Sequence, residues 1–236
     1  MPTFAADGKY LTVLNLFTTD TDEKQGKLIG AMRDVVDNAA YPGWISSTVH
    51  SGKESPGTAN FIQWRSGEDL EARYAGEEFK HRTLPLFREI TTSIKLLQTD
   101  VVYTQRAPEQ TEIEIGPDRD DFTVIQVIGA TEGGLDDLVE ALGAGHAWLR
   151  DVPGYRSHTV LRGRAARGLD GPFAVVYSQW DDEASFAAFR AVSADEQSAE
   201  RRAATERVEA SSTFHDWNTY QVVHTRSAAA PTGSAV

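Results

Sequence analysis

The stretch YPGWISSTVHSGKESPGTANFIQW, residues 41–64, returns in altered form as VPGYRSHTVLRGRAARGLDGPFAVVYSQW at residues 152–180. The offset between the copies is 111 positions at the Pro-Gly pair near the start of each stretch and 116 at the Gln-Trp pair that closes it. The difference arises between these two motifs, where a hairpin loop is expected. Collinear matches whose offset changes only in loops indicate a duplicated domain.

The repeat extends beyond this stretch in both directions. Residues 12–16 (TVLNL) match residues 123–127 (TVIQV) at the same offset of 111, and residues 101–104 (VVYT) match residues 222–225 (VVHT) at an offset of 121. The period is too long for a solenoid. The chain of 236 residues is therefore predicted to contain two copies of one small domain.

The composition argues against several classes of protein. The formal net charge of −12 disfavours a nucleic-acid partner and docking on an anionic membrane, because both are bound through clustered positive charge. The absence of cysteine excludes a thiol nucleophile, a cysteine-ligated metal and a disulfide framework. No apolar run approaches the roughly 20 residues of a membrane span, and the N-terminal residues lack the features of a signal peptide. We expect a soluble cytoplasmic protein.

The order of elements predicts the fold class. Apolar patterning predicts β-α-β-β-α-β in each half, which is the order of a ferredoxin-like α+β domain with helices on one face of an antiparallel sheet. Two such sheets on one chain can pack their other faces together as an intramolecular dimeric α/β barrel. In the second copy, one helix is predicted over residues 135–150. The predicted segments are a flexible N-terminus (1–9), the first domain (10–106), a linker (107–120), the second domain (121–226) and a disordered tail (227–236).

The two copies differ at two polar positions of their expected central strands. His50 corresponds to Leu161, and Asn60 corresponds to Val176, whereas the tryptophan of the Gln-Trp pair is retained in both copies. Strict alternation would place His50 on the same face of its strand as Trp44. A functional site is therefore predicted in the first copy, and the second copy is predicted to carry a degenerate one.

The spacing of His50, Asn60 and Trp64, with the Pro-Gly-Trp and Gln-Trp motifs around them, resembles the antibiotic biosynthesis monooxygenases. Their best-known members are cofactor-free anthrone oxygenases of aromatic polyketide pathways. The resemblance covers nearly the whole chain as two tandem copies and implies a dimeric α/β barrel made within one polypeptide. It also implies catalytic roles for an Asn and a Trp on the third strand and an Arg on the following helix.

Asn60 and Trp64 match the first two of these residues, and Arg82 is the nearest candidate for the third, with Arg73 and Arg88 as alternatives. The family's anthrone oxygenases tend to carry a Tyr before the strand-two His, where this chain has Val49.

The chemistry that the resemblance implies needs molecular oxygen as co-substrate and no metal or other cofactor. Triplet dioxygen reacts slowly with closed-shell molecules, so the enzyme must first make the substrate electron-rich by removing a proton from an anthrone methylene. His50 has a suitable unperturbed pKa of about 6.5 for the base. Asn60 and Trp64 offer N–H donors to the anionic oxygen, and Arg82 would offset its charge.

The expected partner is a small aromatic substrate, and self-association into a homodimer stays open. Nucleic acid and membrane are not expected as partners. The residues assigned to substrate binding are Asn15, Trp44, Tyr74 and His81.

Other interpretations of the same residues stay open. Trp64 could serve packing, because its counterpart persists in the second copy, and His50 could be a solvated residue at a strand end. The same fold hosts haem-degrading monooxygenases, in which Asn15, Trp64 and His81 could take the assisting and ligating roles. A third alternative is a non-oxidative, polyketide-binding or cyclase-like barrel.

Overall fold

The computed structural model describes residues 1–228. The two copies build one closed barrel of eight antiparallel strands, and two further short strands pair with each other in a separate sheet. The strands are β1 (Thr3–Phe4), β2 (Leu11–Thr18), β3 (Trp44–Gly52), β4 (Gly57–Trp64), β5 (Ser93–Arg106), β6 (Ile113–Glu114), β7 (Phe122–Ala130), β8 (Tyr155–Arg167), β9 (Phe173–Trp180) and β10 (Ser212–Ser227). The α-helices are α1 (Asp22–Asp37), α2 (Gly67–Ala75), α3 (Leu84–Ile90), α4 (Leu135–Leu142), α5 (Glu183–Ala191) and α6 (Ala199–Ser211).

The strand order around the barrel is β10-β3-β4-β2-β5-β8-β9-β7. Each copy contributes a four-stranded sheet, and the last strand of one copy pairs with the second strand of the other, as β5 with β8 and β10 with β3. Because the strands pair between the copies at both junctions, the barrel has no free strand edge, which explains how two small sheets form one stable unit. The predicted fold of two ferredoxin-like copies in an intramolecular barrel is confirmed.

Apolar side chains from both copies fill the barrel interior. The residues of this core come from strands of both copies and include Leu14, Phe61, Leu97, Ile125, Leu161, Val175 and Tyr177. They lie on the strand faces that point away from the helices, as alternation along a strand requires. The interior is therefore mainly packed, and a cavity of about 180 Å³ borders it where Ile125, Val127 and Tyr220 meet loop residues.

A short ribbon formed by β1 and β6 packs against the barrel core. Phe4 is buried, and its ring centroid lies 4.7 Å from that of Phe61 and 4.9 Å from that of Tyr177. The two glutamines of the repeated Gln-Trp motif hold the ribbon: Gln63 Nε2 donates to the Thr3 carbonyl at 3.0 Å, and Gln179 Nε2 donates to the Glu114 carbonyl at 2.9 Å. Residues predicted as a flexible N-terminus thus include an ordered strand, and the predicted linker supplies its partner.

The helices cover the outer face of the barrel. Helix α1 begins at the N-cap Thr21, whose hydroxyl accepts from the Lys24 backbone N–H, and buries Leu28, Met32 and Val36 against the sheet. The helix predicted over residues 135–150 is wrong in its length. Helix α4 ends at Leu142 because Gly143 adopts a ψ of −96°, outside the helical region, and a 3₁₀ segment (Ala144–Asp151) follows.

The C-terminal end differs from the prediction in one respect. Ser227, predicted as the first residue of a disordered tail, is the last residue of β10, and the Ala228 N–H donates to the Ile45 carbonyl at 2.7 Å. The rest of the predicted tail, residues 229–236, lies outside the described residues. No helix within residues 1–228 is long and apolar enough to cross a membrane.

A β-bulge at the start of β3 decides which side chains face the helices. Trp44 pairs with Trp64 and Ser46 pairs with Gln63, so two residues of β3 stand against one of β4. The second copy has the same bulge between Tyr155 and Ser157. One extra residue moves every later side chain of the strand to the opposite face. His50 therefore points into the barrel interior, while Trp44 faces the helices.

Candidate functional site

The first copy contains a cavity of about 70 Å³ between the outer face of its sheet and helices α1, α2 and α3. Strands β2, β3 and β4 form its floor, with Asn15, Asn60 and Trp64 among the lining residues. Apolar walls surround these polar groups. Alternation along β4, which has no bulge at this point, brings Asn60 and Trp64 to the same face, as predicted.

Four buried polar groups at this cavity have no hydrogen-bond partner among the described residues. Asn15 and Asn60 face each other across β2 and β4, and the side-chain oxygen of each is unpaired. The Trp64 Nε1 and the Tyr74 hydroxyl are unpaired as well. A buried polar group without a partner costs about 1–3 kcal/mol, and native proteins contain few of them. Their convergence on one cavity makes this cavity the candidate ligand site of the first copy.

The equivalent tryptophans of the two copies differ in the hydrogen bonding of their indole N–H groups. In the second copy, Trp180 Nε1 donates to Ser178 Oγ at 3.2 Å. In the first copy, Ile62 occupies the position of that serine, and Trp64 Nε1 has no acceptor. The ring serves packing in both copies, whereas a free N–H is present in the first. Trp44 is also satisfied, since its Nε1 donates to Ser47 Oγ at 2.9 Å, and it contributes an aromatic wall.

The arginine at this cavity is Arg73 of α2. Its side chain is 8% exposed, its guanidinium carbon lies 4.0 Å from the centroid of the Tyr41 ring, and Nη2 donates to Thr83 Oγ1 at 3.3 Å. An ion pair with Glu78 at 3.3 Å holds its other terminal nitrogen. A fixed, largely buried cation beside unpaired N–H and O–H groups favours a ligand with negative charge on oxygen.

Arg82 and His81, assigned from the sequence to catalysis and substrate binding, are exposed and do not line the cavity. They lie in a π-helical turn (Phe79–Thr83) between α2 and α3. Because this turn contains an extra residue compared with α-helical geometry, it changes which positions face inwards. Thr83 is buried in their place, and His81 pairs with Glu77 at 3.2 Å on the surface.

His50, predicted as the catalytic base, lies on the other side of the sheet from Asn60. Its Nδ1 is 3.1 Å from the Ala59 carbonyl and its Nε2 is 2.8 Å from the Tyr177 hydroxyl. Complete burial lowers the pKa of His50 to about 4. The prediction that His50 shares a strand face with Trp44 is wrong because of the bulge in β3, which the sequence alone does not reveal.

The titratable side chains that line the first-copy cavity within the described chain are Tyr41, Arg73 and Tyr74. Burial raises the pKa of the Tyr74 hydroxyl to about 12, against a smaller lowering by the positive charge of Arg167. Arg167 comes from the second copy, and its guanidinium carbon lies 4.8 Å from the centroid of the Tyr74 ring. Tyr74 is therefore a neutral hydrogen-bonding group at neutral pH.

Comparisons with known proteins show the family of the chain. The family model for antibiotic biosynthesis monooxygenase matches residues 121–220, in the second copy. A solved structure described as that of an anthrone oxidase-like protein is 56% identical to this chain, with 100% of both chains covered and a TM-score of 0.95. The chain belongs to the antibiotic biosynthesis monooxygenase family.

Other monooxygenase-like structures share the fold at low sequence identity. One from Fusobacterium nucleatum, named provisionally as a monooxygenase, is 12% identical over 94% of this chain and 95% of its own, with a TM-score of 0.61. Another from Lactobacillus acidophilus is 9% identical over 93% of this chain and 96% of its own, with a TM-score of 0.56. These two likenesses concern the fold alone. The search of curated proteins found no match.

The second copy of this antibiotic biosynthesis monooxygenase domain, the one that the family model matches, also contains a cavity. It measures about 340 Å³, and its lining includes three histidines that the sequence analysis did not select: His146, His158 and His215. A signal was present, because His158 replaces Ser47 in the repeat. Within the described residues, no three His, Cys, Asp or Glu side chains are placed to hold a metal ion.

Proposed function

We propose that this chain is an oxygenase that converts an anthrone-type aromatic polyketide intermediate into a quinone with molecular oxygen, without a metal or organic cofactor. The first-copy cavity is the proposed active site. The observation that carries the proposal is the convergence of four unpaired polar groups on one apolar cavity: Asn15, Asn60, Trp64 and Tyr74. The likeness to an anthrone oxidase-like protein at 56% identity supports the substrate class.

The shape and chemistry of the cavity suit an aromatic ketone. Trp44 and Trp64 provide flat apolar walls on the sheet side, and Phe87 of α3 provides one on the helix side. Aromatic walls with a few placed polar groups are the usual composition of small-molecule sites. A ketone or phenolate oxygen could accept from the Trp64 Nε1 on the sheet side and from the Tyr74 hydroxyl on α2, whereas the unpaired oxygens of Asn15 and Asn60 could accept from a phenolic O–H.

The proposed role of the site is to make the substrate more acidic. Loss of a proton from the anthrone methylene leaves an anion whose charge is delocalised onto the ketone oxygen. The Trp64 N–H and the Asn60 amide would donate to that oxygen, and Arg73 would offset its charge in a site largely excluded from water. None of the lining side chains has an ordinary pKa near neutrality, so the proton would leave to solvent, with Tyr74 as a hydrogen-bonding group.

The oxidation balances without any further reagent. The carbanion passes one electron to dioxygen, the resulting radical pair combines to a peroxide, and loss of water forms the second carbonyl of the quinone. One methylene and one dioxygen thus become one carbonyl and one water. The protein's own contribution is confined to binding, orientation and stabilisation of the anion.

Substrate entry would require the cavity to widen. Its volume of about 70 Å³ is below the usual range of roughly 300–1,000 Å³ for small-molecule pockets. The π-helical turn between α2 and α3 forms part of the wall through Phe79 and Thr83. Such turns are frequent at functional sites and interrupt the regular helical hydrogen bonds. We propose that this segment moves outwards to admit the substrate.

The haem-degrading alternative receives no support from the position of its proposed ligand. His81 is exposed on the π-helical turn and pairs with Glu77, away from the cavity that holds Asn15 and Trp64. A non-oxidative binding or cyclase role would use the same cavity, so the distinction requires a measurement of oxygen consumption.

The decisive experiment is oxygen uptake by the purified chain with a simple anthrone, in the presence of a chelator and without added cofactor. We expect uptake above the spontaneous rate, with quinone as product. Asn60→Ala and Trp64→Phe should each lower kcat by about 100-fold, as removal of an oxyanion donor does in other enzymes. Asn38→Ala and Trp217→Phe, which change the same residue types outside the cavity, are the matched controls. Anthrone binding without oxygen uptake in the folded chain would contradict the proposal.

A further inference from the structure

The second-copy cavity has the size of a ligand site, whereas its counterpart in the first copy is smaller. Its volume is about 340 Å³, against about 70 Å³ in the first copy. Pockets for small molecules occupy roughly 300–1,000 Å³. Aromatic and aliphatic side chains form its walls, among them Leu149, Val176, Trp180, Phe186 and Phe189.

Two stacked histidines are among the polar residues of this cavity, whose other polar lining residues are Gln126, Ser178, Thr205, Glu209 and His215. The rings of His146 and His158 lie 5.7 Å apart with an interplanar angle of 11°. His146 Nδ1 is 2.7 Å from the Ala141 carbonyl, and His158 Nε2 is 2.7 Å from the Leu142 carbonyl. A carbonyl oxygen can only accept, so each of these nitrogens carries the hydrogen and donates. The other nitrogen of each ring then has a free lone pair.

Both histidines are held neutral. Burial lowers the pKa of His158 to about 3, with a further lowering from His146, and burial also lowers the pKa of His146. The pair therefore offers two hydrogen-bond acceptors and no positive charge at neutral pH. A ligand that matches two neutral acceptors must bring its own O–H or N–H donors.

The groups that would stabilise an anion in the first copy are changed in the second. Val176 replaces Asn60, Phe189 replaces Arg73, and the N–H of Trp180 is already donated to Ser178. In the described chain no Arg or Lys lines the second-copy cavity, although the Arg201 guanidinium carbon lies 4.3 Å from the centroid of the Phe189 ring, and Glu209 adds an acidic side chain that would disfavour an anion. The chemistry of this cavity favours an uncharged ligand.

We propose that the second-copy cavity is a separate binding site for a neutral hydroxylated aromatic molecule, whose phenolic O–H groups are bound by His146 and His158. The aromatic walls hold the ring system, and the free ring nitrogens accept from its hydroxyl groups. This site binds without oxidising, so it does not depend on the activity proposed for the first copy.

The local fold explains how both histidines reach the cavity. Gly143 ends α4 early, and the 3₁₀ segment that follows carries His146 back over the last carbonyls of the helix. His158 lies on β8 after the bulge, on the strand face that the helices cover. Each histidine donates to one of the carbonyls near the end of α4, which sets its tautomer and ring orientation.

The test compares two probes that differ in one donor. 2-Naphthol carries a phenolic O–H that is neutral at pH 7, and 2-methoxynaphthalene has the same ring system without the donor. We expect the full-length chain to bind 2-naphthol at least tenfold more tightly in calorimetric titration, because a buried acceptor left unpaired costs about 1–3 kcal/mol. In ¹⁵N spectra of histidine-labelled protein, 2-naphthol should shift the resonances of His146 and His158.

Substitutions of the two histidines test whether 2-naphthol binds in the second-copy cavity. His158→Ser, which installs the residue of the first copy, and His146→Gln, at a less buried position, should each weaken 2-naphthol binding by about tenfold or more. Neither should change the affinity for 2-methoxynaphthalene. The titrations are repeated in Asn60→Ala to separate the two cavities, and circular dichroism verifies folding. Equal affinity for the two probes, unchanged affinity in both folded histidine variants, or loss of binding in Asn60→Ala alone would overturn the proposal. Oxygen uptake with anthrone is scored independently in the same variants.

Discussion

His50 of the first copy and Tyr177 of the second are joined by a hydrogen bond of 2.8 Å inside the barrel. Because His50 Nδ1 donates to the Ala59 carbonyl, its Nε2 must accept, and the Tyr177 hydroxyl donates. The counterparts of these residues in the repeat are Leu161 and Phe61, which belong to the apolar core. A polar link therefore occurs at one of the two related positions and joins the copies across their shared interior.

Acid should destabilise this protein over the range in which its buried histidines stay neutral. The folded-state pKa of His50 is about 4, against 6.5 in the unfolded chain, and that of His158 is about 3. Between these values the unfolded state binds more protons, so stability falls as the pH is lowered from about 6.5 towards 4. Each histidine contributes at most about 1.4 kcal/mol per pH unit. Urea unfolding at pH 7.0, 5.5 and 4.5 measures this slope.

His50→Gln should make the slope shallower by up to the contribution of one group. His81→Gln, at an exposed position, is the control for the exchange of a histidine for a glutamine. An identical pH dependence in His50→Gln and in the unaltered chain would show that His50 is not held neutral by its burial.

The same substitution tests whether His50 takes part in catalysis. The sheet separates His50 from Asn60, since the two side chains lie on opposite faces. We expect folded His50→Gln to retain anthrone oxidation within about threefold, whereas Asn60→Ala loses about 100-fold. Rates are compared by oxygen electrode at equal concentrations of folded protein. A loss of activity in His50→Gln as large as that in Asn60→Ala would contradict this expectation and indicate that His50 is needed for catalysis.

The choice between two arginines is directly testable. Arg73 is largely buried at the cavity, and Arg82 is exposed on the π-helical turn. Arg73→Ala should lower kcat/KM by about 100-fold, because it removes the cation beside the developing oxyanion. Arg82→Ala should leave kcat/KM close to that of the unaltered chain. The reverse order of effects would place the catalytic arginine on a rearranged turn and contradict the site described above.

The ribbon at the barrel core should contribute strongly to stability. Phe4→Ala removes a buried ring that contacts Phe61 and Tyr177, and such truncations cost about 3–5 kcal/mol. Phe4→Leu should cost less, and Lys9→Ala, at an exposed position, should cost little. Chemical denaturation measures each value. Equal stabilities of Phe4→Ala and Lys9→Ala would mean that the N-terminal strand does not pack in solution as the structure shows.

Several features followed from the sequence because they depend on patterns within short segments. The repeat indicated two copies, and a β-α-β-β-α-β order in each led to the barrel. Asn60 and Trp64 were placed on one face because β4 alternates regularly between them. Asn15 and Tyr74 were also selected from the sequence, and the structure brings both to the same cavity.

Other features were decided by the tertiary structure alone. Because of the extra residue in β3, the His50 side chain points into the barrel interior. The π-helical turn leaves Arg82 exposed, whereas Arg73 on α2 lies at the cavity. A bulge or a π turn changes the phase of all later side chains, yet it is stabilised by packing against distant strands and leaves no periodic signal in its own segment. The N-terminal strand is ordered for the same kind of reason, because Gln63 and Gln179, far away in the sequence, hold its ribbon in place.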